Sequence, residues 1–191
     1  MRAPRVFFKD SYFHLITRSN QTIFTGKRDY LRYIENLSKY SKKFSVKILA
    51  FALMPNHVHL LVQQLTDSPL SKFVQVQNTA YVNYFNLRFK RYGSLFQSHF
   101  RALMIDSDEY LVHVSRYIHL NPSSAQLVLK PEDYFWSSYR IYLGLDDSDF
   151  VDKKTVLTYF SSKDQVQDYR DFVASRIDYQ KEISLQKLLI D

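Results

Sequence analysis

The chain has no cysteine and is poor in the residues that interrupt regular structure, with three glycines and five prolines among its 191 residues. The lack of cysteine excludes disulfide bridges, thiolate zinc sites and a cysteine nucleophile. No apolar run approaches the roughly eighteen residues of a membrane span. The start of the chain breaks its apolar run with Lys9 and Asp10, and it does not resemble a signal peptide. We therefore expect a folded, soluble and cytoplasmic protein with no membrane partner.

What the sequence does contain is apolar, aromatic and unevenly charged. Apolar residues make up 46% of the chain and aromatic residues 16%, which is enough for a substantial core. Residues 1–140 carry 19 Lys and Arg against 9 Asp and Glu, whereas residues 141–191 carry 7 against 10. A basic body with a mildly acidic tail favours a polyanionic partner for the body. The charge says nothing about sequence preference.

Hydrophobic periodicity predicts a regular succession of elements. The predicted strands cover residues 11–18, 46–55, 57–64 and 100–105, and the predicted helices cover residues 26–44 and 70–92. Gly93 is expected to end the second helix. This order is the split β-α-β-β-α-β arrangement of ferredoxin-like and RRM-like domains, an α+β fold with helices packed on an antiparallel sheet. It places strand 57–64 inside the sheet, beside strand 11–18.

A third helix is predicted over residues 106–122. Asp106 or Ser107 is expected to cap its N-terminus, and acidic residues follow in the first turn. Pro122 is expected to stop this helix, because proline has no backbone N–H to continue the hydrogen-bond ladder.

Two regions are expected along the chain. Residues 1–144 form one domain that begins with a basic N-terminal arm, and residues 145–191 form a helical appendage. Two helices are predicted in the appendage, near residues 152–160 and 163–178. We expect it to cap the core or to lengthen a binding surface.

A pair of histidines stands in one predicted strand. His57 and His59 are separated by one residue, so both imidazoles point to the same face of the sheet. Such a pair is either two buried structural histidines or half of a metal site, and His-x-His alone favours the structural interpretation. Tyr117 and Asn121 share one face of the third helix, where an amide oxygen could complete a metal site beside a phenol. Alternatively, the tyrosine packs in the core and the asparagine caps the helix.

Four segments together resemble a known family. They are "ALMPNHVHLLV", "GSLFQSHFRALMIDSDEYL", "RYIHLNPSSAQLV" and "DYFWSSYRIYLG". They are similar to the single-tyrosine HUH transposases, and most of all to the REP-associated tyrosine transposases of bacteria, over about residues 11–144. The resemblance implies an HUH nuclease that binds imperfect hairpins in single-stranded DNA and cuts with a tyrosine nucleophile.

Carried over by position, the resemblance assigns a role to each motif residue. His57 and His59 match the metal ligands, Tyr117 matches the nucleophile, and Asn121 matches the polar third ligand. Relatives that mobilise themselves often carry glutamine at this last position, whereas asparagine fits the hairpin-associated branch. Two imidazoles with oxygen ligands favour Mg²⁺ or Mn²⁺ over structural zinc, and no nucleotide cofactor is expected. A phosphotyrosine product would keep the energy of the broken bond available for rejoining strands.

The DNA-binding surface is predicted from the distribution of basic residues. The candidates are Arg2, Arg5, Lys9, Arg18, Arg88, Arg91 and Arg101. Between residues 83 and 101 these cations are interleaved with aromatic residues, which either stack on bases or form the buried face of a helix. The remaining histidines are interpreted as structural or DNA-adjacent, and His119 is expected to face away from Tyr117.

Other functions remain open on the sequence alone. A DNA-hairpin-binding protein that does not cut could keep this fold for regulation or genome housekeeping. A metal phosphoesterase that activates water is disfavoured, because no carboxylate base lies beside the histidine pair in sequence. We favour a monomer, although self-mobilising relatives work as dimers that exchange the tyrosine helix.

Overall fold

A computed structural model describes residues 7–67, 70–97, 99–161 and 163–177. Its centre is a four-stranded sheet in the order β2-β3-β1-β4, and every neighbouring pair of strands is antiparallel. The strands are β1 Tyr12–Arg18, β2 Val46–Met54, β3 His57–Gln64 and β4 Arg101–Ile105. The predicted α+β fold with its split β-α-β-β-α-β order is therefore confirmed, and the histidine-bearing strand lies inside the sheet beside β1.

Three long helices accompany the sheet. They are α1 Lys27–Lys43, α2 Leu70–Phe89 and α3 Asp108–Ser124. Helices α1 and α2 pack against each other, while α3 contacts β2, β3 and β4. Alternation along β1 puts His14 on one face of the sheet and the buried Phe13 and Leu15 on the other. This alternation gives the sheet one mainly apolar face and one face that carries the histidines.

Two predicted helix ends are wrong. Pro122 does not stop α3, which continues to Ser124, because proline removes only one donor and the next residues keep their own hydrogen bonds. Helix α2 ends at Phe89 and not at Gly93, since Lys90 already adopts a positive φ of 49°. The start of α3 agrees with the sequence, because the Ser107 side chain accepts a hydrogen bond from the Tyr110 backbone N–H.

The segment after α3 packs back onto the sheet. It contains the short helices α4 Tyr139–Tyr142, α5 Lys154–Leu157 and α6 Gln165–Ala174. Ser137 and Val151 form single bridges to β2, and Tyr169 and Val173 are fully buried in the common core. The predicted appendage helices are present but shorter, and this part of the chain caps the core. The division of the chain at Gly144 stays a prediction. None of the helices in the described ranges is long and apolar enough to span a membrane.

Candidate functional site

The histidine pair lies on the polar face of the sheet. In the register of β1 and β3, Arg18 stands opposite His57 and Ile16 stands opposite His59. The two imidazole rings share this face, with ring centroids 4.9 Å apart. Helix α3 covers the same face, since the Tyr117 ring centroid lies 5.8 Å from that of His59. The structure therefore brings both histidines and the tyrosine together.

A third histidine, whose place in the site was not predicted, completes this cluster. His14 on β1 lies 2.9 Å from His59, measured from Nε2 to Nδ1, and the two rings stack at 5.1 Å. The same His14 ring stands edge-on to Tyr117, at 5.9 Å between centroids. The register between β1 and β3 brings the two histidines into contact. The sequence signal for this contact is weak, because it consists only of a histidine on the polar face of an alternating strand.

All three imidazoles are held in the neutral form. Burial lowers the pKa of His14 to about 4, and burial together with the charge of Arg18 lowers that of His57 to about 4. The pKa of His59 falls well below its ordinary value, first because of burial and then because of the neighbouring histidines. Neutral imidazole is the form that binds a metal ion.

The hydrogen bonds of the pair involve one nitrogen of each ring. His57 Nδ1 lies 2.7 Å from Asn56 Oδ1, and His59 Nδ1 contacts His14. Within the described ranges no hydrogen bond uses the Nε2 atom of either histidine. Partners on the far nitrogen are typical of metal-ligating histidines, since they fix the orientation and tautomer of the ring.

Asn121 is the residue predicted to complete the ligand set with an oxygen. It lies one turn beyond Tyr117, and its Nδ2 atom is buried with no hydrogen-bond partner in the described part of the chain. Rotation of the amide by half a turn puts its oxygen in the same place. The described residues include no cluster of three or more His, Cys, Asp and Glu side chains suited to a metal ion, so two imidazoles need a ligand of another type. Two neutral imidazoles and an amide oxygen fit a divalent cation.

The structural alternatives for Tyr117 and Asn121 find no support. The Tyr117 side chain is 39% exposed and is therefore not a core residue. Asn121 is not the cap of α3, because Ala125 occupies the C-cap position and donates its backbone N–H to the Asn121 carbonyl. Tyr117 lies against His14 and His59 on the face that carries the histidines.

Comparison with known proteins decides the family. The sequence model of the IS200-like transposases matches residues 7–121, more than half of the chain. The chain belongs to this family. No curated protein has a significantly similar sequence.

Two solved structures are similar to the transposase, and the first shares its fold. A REP-associated tyrosine transposase bound to a REP hairpin is 14% identical, with a TM-score of 0.66 over 80% of this chain and 97% of that one. A protein assigned as a transposase from Deinococcus radiodurans R1 is 20% identical, with a TM-score of 0.43 over 62% of this chain and 95% of that one. The resemblance read from the sequence motifs is confirmed by the family match and by the fold of the first structure.

His119 is a further buried histidine of the transposase and belongs to its core. His119 contacts the Tyr169 hydroxyl through Nδ1 at 2.7 Å and the Ser138 hydroxyl through Nε2 at 2.8 Å. Burial lowers the pKa of His119 to about 3. It faces away from Tyr117, as predicted, and it ties α3 to α6.

The predicted DNA-binding cations of the transposase fall in different places. Arg18 stands opposite His57, and Arg101 is exposed on β4 opposite Ile16, so both lie on the face of the histidines. Lys9 is exposed in the turn before β1. Arg2 and Arg5 lie outside the described residues.

The two remaining cations lie at the end of α2. Arg88 forms an ion pair with the fully buried Asp29 and also donates to Tyr84. Arg91 donates to the Ser94 carbonyl oxygen at 3.3 Å. Arg88 therefore has a structural partner already, whereas its assignment to DNA stays a prediction.

The aromatic residues near these cations divide into two groups. Phe85 and Phe96 are buried, at 5% and 8% exposure, and form part of the core. Phe89 and Tyr92 are exposed, at 40% and 95%. The interpretation as the buried face of a helix holds for Phe85 on α2, whereas Phe96 is buried in the segment after that helix. Phe89 and Tyr92 have ring surface to offer a base.

Proposed function

We propose that this transposase cuts and rejoins hairpin-bearing single-stranded DNA with Tyr117 as the nucleophile. The observation that carries the proposal is the position of this partly exposed phenol against His14 and His59, on the face that also bears His57. Packing alone does not explain why Tyr117 lies beside neutral imidazoles. The Nε2 atoms of His57 and His59 have no protein hydrogen-bond partner in the described ranges. The likeness in fold to a hairpin-bound transposase supports hairpins as the substrate.

The reaction is a transesterification at phosphorus. The Tyr117 hydroxyl oxygen attacks the phosphorus, the new P–O bond to tyrosine forms, and the P–O3′ bond of the DNA breaks. The phenol proton goes to solvent, and the leaving 3′ oxygen takes up a proton. The product is a 5′-phosphotyrosine, which a 3′ hydroxyl can attack by the reverse route to rejoin strands.

The protein side chains have distinct tasks in this reaction. His57, His59 and Asn121 would hold the divalent cation, Mg²⁺ or Mn²⁺, which when bound neutralises the charge that develops on the phosphate oxygens. Arg18 and Arg101 lie on the same face and provide positive charge for the DNA backbone. No carboxylate in the described ranges hydrogen-bonds to the three histidines, which argues against a general base that activates water.

The site is assembled within a single chain. Tyr117 on α3 contacts the histidines of its own sheet, and α3 is fixed to the rest of the chain through His119. We propose a monomer as the active form, in which Tyr117 acts at the histidine pair of its own chain.

Trapping of a covalent protein–DNA adduct tests the proposed function. We expect incubation with a hairpin-bearing single strand and Mn²⁺ to give an adduct that resists denaturation. Tyr117→Phe should abolish the adduct and leave hairpin affinity unchanged, because it removes only the reacting oxygen. Tyr110→Phe is the matched control, since Tyr110 lies on the same helix and is 41% exposed. It should behave as the wild type.

The other outcomes identify rival functions. Hairpin binding with no adduct in the wild type would indicate a DNA-binding protein that does not cut. Nicking that survives Tyr117→Phe would assign the attack to water or to another residue.

A further inference from the structure

We infer that His14 is a positioning residue of the active site, which accepts a hydrogen bond from His59 and thereby leaves the outer nitrogen of His59 free to bind the metal. The inference rests on the proposed function, in which His59 is a metal ligand. His14 itself is assigned no contact with the metal or the DNA.

The contact between the two rings is close and buried. His14 Nε2 and His59 Nδ1 are 2.9 Å apart, the rings stack at 5.1 Å, and the residues are 4% and 2% exposed. A hydrogen bond at this distance needs one donor and one acceptor. Since a neutral imidazole carries a single N–H, the direction of this bond sets the tautomer of both rings.

Only one direction allows His59 to act as a ligand. If His59 Nδ1–H donates to His14 Nε2, the lone pair of His59 Nε2 remains available. If His14 donates instead, the proton of His59 lies on Nε2 and blocks that atom. A metal site at His59 therefore requires His14 as the acceptor.

The other predicted ligand shows the same arrangement with a simpler partner. His57 Nδ1 lies 2.7 Å from Asn56 Oδ1, and an oxygen can only accept this hydrogen bond. The His57 proton is therefore held on Nδ1. Both histidines are thus held at the same nitrogen, one by an amide and one by a second imidazole.

His14 also touches the nucleophile. Its ring stands edge-on to Tyr117 at 5.9 Å, with an interplanar angle of 71°. His14 therefore contacts both His59 and Tyr117, which also contact each other, and it helps to fix the position of both rings.

The affinity for Mn²⁺, measured by electron paramagnetic resonance on the full chain without DNA, tests the inference. His14→Leu should weaken Mn²⁺ binding by about 10- to 100-fold, as removal of such outer partners does elsewhere. His14→Gln can place an acceptor oxygen near His59 Nδ1 and should recover most of the loss. His119→Gln is the control for general loosening of α3, because His119 is equally buried but bonds elsewhere. It should bind Mn²⁺ as the wild type does.

A second readout needs no metal. The ¹⁵N chemical shifts of the imidazoles report which nitrogen carries the proton, and His59 should be protonated at Nδ1 in the wild type and in His14→Gln. Protonation at Nε2 in the wild type, or equal Mn²⁺ affinity in His14→Leu and the wild type, would overturn the inference. If these two measurements agree with it and no DNA adduct forms, the proposed function alone is wrong.

Discussion

Two groups of histidines with a lowered pKa, the core residue His119 and the pair His57 and His59, differ in their hydrogen bonds. His119 has a hydroxyl partner on each ring nitrogen, and it joins α3 to the C-terminal part of the chain. His57 and His59 each have a protein partner on Nδ1 alone. Loss of hydration lowers the pKa in both groups, so a lowered pKa does not identify a ligand. We propose that the distinguishing feature of a ligand is an Nε2 atom without a hydrogen-bond partner in the described part of the chain.

The largest expected effect is a loss of activity when a residue of the histidine pair is replaced. His57→Ala or His59→Ala should lower the rate of adduct formation by roughly a thousandfold or more, since a bound metal supplies several kcal/mol of charge stabilisation. Hairpin affinity should change little, because neither imidazole is assigned to the DNA backbone. Single-turnover adduct formation in Mn²⁺ measures the rate. Activity within tenfold of the wild type in either variant would make that histidine structural.

The next largest expected effect is a loss of stability when His119 is replaced. His119→Leu removes two buried hydrogen bonds and should lower the free energy of unfolding by about 2–3 kcal/mol, while the affinity for Mn²⁺ stays that of the wild type. Urea unfolding and an Mn²⁺ titration of the same sample measure the two quantities. Loss of Mn²⁺ binding in a folded His119→Leu protein would contradict the division between the groups.

Acid should destabilise the protein through both groups. An unfolded histidine takes up a proton below about pH 6.5, whereas folded His119 stays neutral down to about 3 and His14 and His57 down to about 4. The unfolded state therefore binds more protons between pH 6.5 and 4, so stability is full above 6.5 and falls as the pH is lowered.

His119→Leu should reduce this pH dependence by about 1.4 kcal/mol per pH unit over that range, the share of one histidine. Urea unfolding at several pH values measures it. An unchanged pH dependence in the variant would show that His119 is not the neutral, buried group described above.

The smallest effect concerns the cations. Arg101→Gln should reduce the slope of log affinity against log salt by roughly one unit, the share of a single phosphate contact. Arg88→Gln should reduce the slope by less than Arg101→Gln does, because Arg88 is already paired with Asp29. It should also destabilise the fold, because it leaves the buried Asp29 without its ion-pair partner. Hairpin titrations at several salt concentrations measure the slope. A larger change for Arg88 than for Arg101 would reverse the assignment of the two cations.

The sequence alone predicts the frame of the site and misses its inner contacts. The alternation of His57 and His59 and the one-turn spacing of Tyr117 and Asn121 are local patterns, so they predict which residues share a face. The place of His14 depends on the register between β1 and β3, which no local pattern contains. The partner of Arg88 depends in the same way on the packing of α2 against α1. The predicted end of α3 was wrong because Pro122 removes only one backbone hydrogen bond near the end of the helix.

Anomalous diffraction from crystals soaked in Mn²⁺ tests the central claim most directly. The claim is that the outer nitrogens of His57 and His59, with the side chain of Asn121, form the metal site beside Tyr117. We predict one strong peak in contact with the Nε2 atoms of both histidines and with the Asn121 side-chain oxygen. A peak bound to other residues, or either Nε2 atom directed away from the ion, would contradict it.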